Sequence, residues 1–174
     1  MLLAFGACSS AGSSKAPPTD PPAFVAAQGD FASFRSWPSL DPGPGVAPGN
    51  DHLTGPRIVY YNRSPPLGAK AFPVGTIIVK ESGDGDFATR DIFAMVKRGG
   101  DFNEGDGGAV DWEWFRLQSS ADGQTNIIVW RGIGPADGDA YGSNGSTGGC
   151  NPCHATVRTT DFVFPSVLTT PLAP

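Results

Sequence analysis

The sequence predicts an α+β fold that is mainly β, with an antiparallel sheet of about five strands and one or two short helices. Three observations support this. The 174-residue chain contains 24 Gly and 17 Pro but only 17% charged residues, a composition that disfavours a bundle of long helices. Its β-branched and aromatic residues cluster in short runs bounded by Gly, Asp, Asn or Pro. These runs leave no room for crossover helices, so neighbouring strands are expected to be antiparallel.

The first residues predict export. An apolar start without a basic region resembles the last part of a signal, which indicates a translation start further upstream. Cys8 follows Gly6 and Ala7, as in the cleavage box of bacterial lipoproteins, although Phe5 stands where that pattern prefers Leu. Ordinary signal cleavage and a buried apolar terminus are the alternatives. The expected location is the periplasm, or a bacterial membrane surface reached through a lipid on Cys8.

Composition divides the chain into a leader and one domain. Residues 9–22 are mostly Ser, Ala, Gly and Pro and cannot bury enough apolar surface to fold, so residues 1–22 are expected to be a shortened signal followed by a flexible tether. Residues 23–174 are the length of one domain. The net charge of −5 and a pI near 4.8 repel phosphate backbones, which excludes nucleic acid as a partner. No segment approaches the roughly 18 apolar residues that a membrane span requires.

The elements of the domain follow from periodicity. Apolar residues at near-helical spacing from Ala23 to Trp37 predict one short helix that ends at Pro38, and Asp41–Pro56 is expected to be a loop. Strands are predicted at five later segments, which are Arg57–Asn62, Thr76–Glu81, Thr89–Lys97, Val110–Gln118 and Asn126–Trp130.

Alternation along the second of these strands draws attention to one lysine. It places Lys80 and Ile78 on one face of the sheet, and Glu81 and Val79 on the other. A lysine that points towards a core requires a chemical reason. The alternative is a lysine at the strand end whose methylenes lie along the surface while its ammonium reaches solvent.

The motif Cys150-Asn151-Pro152-Cys153-His154 predicts one c-type haem per chain. Its spacing allows thioether bonds from Cys150 and Cys153 to the haem vinyl groups and ligation of the iron by His154. A zinc site would need a second pair of ligands, and once Cys8 is set aside as the lipidation candidate only His52 remains. A thioredoxin-like redox motif would lie in a βαβ unit, which this chain lacks.

The sixth position of the iron decides the function that a haem would have. An electron carrier fills this position with a Met or His, for which Met95 and His52 are the candidates, whereas an open position binds gas or substrate. A methionine in a strand is more often part of a core, and a histidine in a loop is more often a surface residue. The scarcity of ligands therefore favours an open position.

Several segments, taken in order, resemble the cytochrome P460 family over residues 34–164. The Gly-Thr-x-x-Val-Lys-Glu strand that contains Lys80 and the closing Asp-x-Val-Phe are more specific than the haem motif alone. The matching segments are Phe34–Trp37, Arg57–Tyr60, Phe72–Glu81, Ala94–Lys97, Trp112–Phe115, Cys150–His154 and Thr160–Phe164.

The resemblance implies a mostly antiparallel sheet and a haem iron bound by His154 with an open distal side. In enzymatic members, the lysine equivalent to Lys80 is joined covalently to the porphyrin edge and the protein oxidises hydroxylamine. Arg57, the arginine of the first strand in this family, is retained as a second catalytic candidate. The related cytochrome c′-β lacks the lysine link and binds nitric oxide under an aromatic cap.

One position departs from the enzymatic pattern. Phe93 stands where those members have an acidic residue that moves protons, and such a group contributes typically 10²–10⁴-fold to a rate. Asp111 and Glu113 are the nearby carboxylates that could substitute. Lys80 therefore favours a hydroxylamine oxidoreductase, and Phe93 favours a nitric oxide binder or scavenger without turnover.

The expected partners follow from these alternatives. They are a small nitrogenous ligand, either hydroxylamine or nitric oxide, and a redox partner protein. Simple electron transfer stays a third alternative, and homodimerisation stays open.

Overall fold

The computed structural model describes residues 23–43, 56–105, 107–133 and 149–165. The predicted signal, tether and lipidated Cys8 lie outside these residues, as does His52. Within them, six strands form one antiparallel sheet in which each strand pairs with the next along the chain. The strands are Ser39–Leu40 (β1), Arg57–Tyr61 (β2), Ile77–Ser82 (β3), Asp91–Lys97 (β4), Trp112–Ser119 (β5) and Asn126–Gly132 (β6).

The predicted mainly β architecture is confirmed, with one more strand than expected. All five predicted strands are present, and their ends lie within two residues of the predicted ends. The fourth strand begins at Asp91 rather than Thr89, because Phe87–Thr89 forms a 3-10 turn first. β1 was not predicted, because two residues are too few for alternation to be recognised.

The prediction of one short helix from Ala23 to Trp37 is wrong. This segment instead forms two short 3-10 helices, Gln28–Phe31 and Phe34–Ser36. The Asp30 carboxylate accepts the backbone N–H of Ala27 at 2.7 Å and closes the first turn locally. Phe31 and Phe34 are fully buried. The apolar spacing that predicted one helix therefore places one phenylalanine of each 3-10 helix in the core.

The sheet separates two apolar clusters, one on each face. On the N-terminal face, Ile77 and Val79 of β3 pack with Phe31 and Phe34. On the opposite face, called the motif face below, Ile78 packs with Met95, Trp112, Trp114 and Val163, and Cys150 lies against this cluster. The predicted alternation along β3 is therefore confirmed.

Two buried carboxylates lie on the N-terminal face. Glu81 on β3 accepts a hydrogen bond from Arg35 Nη2 at 2.8 Å. Glu113 on β5 accepts hydrogen bonds from Arg131 Nε at 2.7 Å and from Arg98 Nη1 at 3.1 Å. Breaking a buried ion pair by removing one partner typically costs about 3–5 kcal/mol. Arg35 belongs to the second 3-10 helix, so its pair with Glu81 fastens the N-terminal segment to the sheet.

The haem motif forms the short helix Cys150–His154 (α1), which continues into a kinked 3-10 segment, Ala155–Thr160. This matches the predicted one or two short helices. Across the described ranges, no helix is long and apolar enough to cross a membrane.

Candidate cofactor site

Asn151, the first variable residue of the motif, links α1 to the sheet through side-chain hydrogen bonds. Its Oδ1 accepts the indole N–H of Trp114 at 2.7 Å and a side-chain N–H of Asn103 at 2.8 Å. Its Nδ2 donates to Asn103 Oδ1 at 2.9 Å and to the carbonyl of Ile133 at 2.7 Å. Because both its amide oxygen and nitrogen are satisfied, the Asn151 side chain has one defined orientation, and the motif is held against β5.

The His154 ring is neutral and held in a fixed position. Its ring lies 4.6 Å from the Trp114 ring and 5.1 Å from the Phe164 ring, measured between centroids. Nδ1 lies 2.6 Å from the carbonyl oxygen of Phe162, so Nδ1 carries the proton and donates it, and the lone pair of Nε2 is left for a metal. Burial lowers the pKa of His154 to about 4, which keeps the imidazole neutral at pH 7.

Burial favours the protonated form of both thiols of the motif. Burial raises the pKa of Cys150 to about 12, and it also raises the pKa of Cys153. A protonated thiol is a poor nucleophile for disulfide exchange, which disfavours the redox-motif alternative. No group of three or more His, Cys, Asp and Glu suited to a metal ion occurs in the described part of the chain.

The structure brings Lys80 to the haem motif, although 70 residues separate them in the sequence. Lys80 lies on the motif face of β3, where its charge opposes protonation of His154 and favours the thiolate forms of Cys150 and Cys153. Its cross-strand partner is Phe93, and Lys80 Nζ lies 5.5 Å from the centroid of that ring. The Lys80 ammonium therefore faces an aromatic ring, and the charges that act on it are those of Arg57, of the two motif thiols and, least of all, of Asp91.

Arg57 lies at the start of β2 on the same face. Its Nε donates to the carbonyl of Gly43 at 3.0 Å. Burial, and secondly the charge of Arg57, lower the pKa of Lys80 to about 8. At pH 7 roughly a tenth of the Lys80 side chains are then free amines, which is the nucleophilic form.

This pKa can be measured directly. In the haem-free variant Cys150→Ala/Cys153→Ala, NMR titration of ¹³C-labelled Lys80 is expected to give a midpoint near pH 8. Arg57→Gln removes a repelling cation and is expected to move the midpoint upward, because the ammonium is then less disfavoured. If Arg57 is kept and the midpoint still lies at the ordinary lysine value of about 10.4, the Lys80 amine is not buried.

The other candidates from the sequence have contacts of their own. Met95 is 6% exposed and packs within the apolar cluster of the motif face, as a core methionine does. Glu113 cannot replace a distal carboxylate, because it lies on the N-terminal face between Arg98 and Arg131. Asp111 lies 3.6 Å from Lys97 Nζ, measured at Oδ2.

The sequence did not reveal three residues that shape the site. Asn151 occupies a variable position of the motif, where no residue type is required. Asp161 and Phe162 place the carbonyl that His154 contacts, and both have left-handed backbone conformations, with φ of 52° and 64°. Non-glycine residues rarely adopt this conformation, so composition gives no sign of it.

Comparison with known protein families, curated proteins and solved structures gives no match to this chain. The resemblance to the cytochrome P460 family therefore stays a prediction from the sequence motifs.

Proposed function

We propose that this is an exported protein of the cytochrome P460 type that binds one haem c through Cys150, Cys153 and His154 and oxidises hydroxylamine at an open iron position. The observation that carries the proposal is the proximity of Lys80 to the haem motif. Burial, and after it the charge of Arg57, lower the pKa of the half-buried Lys80 more than the Asp91 carboxylate raises it, and this lowered pKa suits Lys80 to chemistry.

The residues present fit a haem. His154 presents Nε2 while its Nδ1–H is fixed by a backbone carbonyl, which is the usual arrangement of a metal-bound histidine. Cys150 and Cys153 are adjacent thiols on one turn of helix beside an apolar cluster. On the same sheet face as Lys80, the buried Ser82 Oγ has no hydrogen-bond partner within the described residues, as expected where a polar group of a ligand would lie.

Several residues of the motif face then have a role. A haem held by Cys150, Cys153 and His154 would supply the redox chemistry that oxidation of a small nitrogenous substrate requires. Lys80 Nζ, with a pKa near 8, is partly a neutral amine at pH 7, the form that a bond to the porphyrin edge would require. Arg57 keeps part of the Lys80 population neutral by repulsion. The Trp114 ring packs against the His154 ring and limits the access of water to the ligand.

Phe93 favours a second function, the binding of nitric oxide without turnover. Its position opposite Lys80 on the motif face places an aromatic ring where the enzymatic pattern has a carboxylate. An apolar surface binds a neutral diatomic gas without supplying a base for proton removal.

Haem attachment tests the proposal first. Protein produced in a bacterial host that matures c-type cytochromes is expected to retain haem after denaturation, and Cys150→Ala/Cys153→Ala is expected to lose it. The reduced wild type should be high-spin and should take up CO without displacing a protein ligand. A low-spin spectrum that is lost in Met95→Leu or His52→Ala would instead establish an electron carrier.

A further inference from the structure

The carbonyl that contacts His154 belongs to an unusual turn. Asp161 and Phe162, directly after the 3-10 segment, both have left-handed conformations, which turn the Phe162 carbonyl back towards His154 Nδ1. Two consecutive non-glycine residues in this region are strained, and such strain persists only where surrounding contacts hold it.

A buried carboxylate supplies these contacts. Asp161 is 9% exposed, and its Oδ1 accepts Lys97 Nζ at 2.7 Å and the indole N–H of Trp112 at 3.4 Å. Its Oδ2 accepts the backbone N–H of Phe72 at 2.8 Å. Lys97 ends β4, Trp112 begins β5 and Phe72 precedes β3, so three separate segments hold one side chain of the turn.

The pair of Lys97 with Asp161 is the strongest of these contacts. Lys97 is 5% exposed, and its ammonium also lies 3.6 Å from Asp111 Oδ2 and 5.2 Å from the centroid of the Trp112 ring. A buried ion pair contributes little net stability compared with apolar residues of the same volume. What it does provide is a fixed position, because neither charge can move away from the other without remaining buried and unpaired.

We propose that Lys97 and Asp161 are positioning residues that act on His154 through the Phe162 carbonyl and so set how strongly His154 donates electrons to a bound iron. This rests on the proposed function. A short, well-aligned bond from Nδ1–H to a carbonyl increases the basicity of Nε2, which favours the ferric state and lowers the reduction potential. Loosening the turn has the opposite effect on both properties.

Lys97→Met in the holoprotein tests the proposal by its sign. Loss of the anchor is expected to lower the iron–histidine stretching frequency in the resonance Raman spectrum of the ferrous protein and to raise the reduction potential. Loss of a nearby positive charge by itself would lower the potential, because a cation favours the ferrous state. An unchanged stretching frequency, or a lower potential, overturns the proposal.

Two further variants separate positioning from general instability. Glu113→Gln removes the charge of a buried carboxylate that pairs with Arg98 and Arg131 on the N-terminal face, and it is expected to leave the stretching frequency unchanged. Asp161→Asn keeps an acceptor for the Phe72 N–H, so it provides a folded variant if Lys97→Met does not fold. It should also lower the frequency, and a wild-type frequency in this variant overturns the proposal.

A measurement without haem distinguishes failure of the positioning from failure of the proposed function. If the wild type binds no haem, the proposed function is refuted. The tautomer of His154 can still be measured by ¹⁵N NMR in Cys150→Ala/Cys153→Ala. We expect the Nδ1–H form there and a mixture of tautomers after adding Lys97→Met. The same tautomer in both variants overturns the positioning role.

Discussion

Protease digestion of the mature protein is expected to give a single species that contains the Lys80 peptide, the haem and the Cys150–His154 peptide. The reason is the lowered pKa of Lys80, which makes roughly a tenth of it a free amine at pH 7, against under about a thousandth for an ordinary lysine. The new N–C bond replaces one N–H and one C–H bond. An oxidant such as a peroxide must therefore take up two electrons and two protons.

Lys80→Arg is expected to abolish that species completely, because a guanidinium stays protonated and is not a nucleophile. The reduced absorption band, expected far to the red in the wild type, should return to the position of an ordinary c-type haem. Lys70→Arg, at an exposed lysine, is the matched control and should leave both properties unchanged. If the wild type yields haem on the cysteine peptide alone, nitric oxide binding becomes the better account of this site.

Phe93→Glu is expected to raise hydroxylamine turnover by about 10²-fold or more, within the 10²–10⁴ range typical of a positioned base. The side chain would extend from β4 on the motif face, opposite Lys80 in the register, and would accept protons released by the substrate. Steady-state turnover with an artificial electron acceptor measures the change.

Phe93→Gln is the control for this substitution, since it matches glutamate in size but cannot act as a base at neutral pH. Turnover should therefore rise in the glutamate variant and not in the glutamine variant. Equal rates in both, or a wild type as fast as Phe93→Glu, would mean that another group of the motif face removes the protons.

The strands were predictable because each is a short run rich in Val, Ile, Thr or aromatic residues between turn residues, and such runs are visible in a single sequence. The face of Lys80 followed from alternation along β3. The N-terminal segment was not predictable, because Phe31 and Phe34 have a spacing common to α- and 3-10 helices. The hydrogen bond from the Ala27 backbone N–H to the Asp30 carboxylate favours the 3-10 turn, and it is visible only in the folded chain.

The candidate site was predictable only in its chemistry. The spacing of the motif indicates a c-type haem, but no local pattern places Lys80 beside residues 70 positions later. The pairing of β3 with β4 and of β4 with β5 does that, and long-range contacts of this kind have no periodicity. The anchoring of His154 was hidden for a related reason, since Lys97 and Asp161 are 64 positions apart and meet only in the folded chain.

The bond between Arg35 and Glu81 has a consequence for how β3 pairs with its neighbours. A slip of β3 by one residue would send Lys80 into the phenylalanine cluster of the N-terminal face and would leave Arg35 without its carboxylate. Both errors bury an unpaired charge, so the slipped pairing is strongly disfavoured. Glu81 thus fixes the register in which β3 pairs, and this register directs Lys80 towards Cys150.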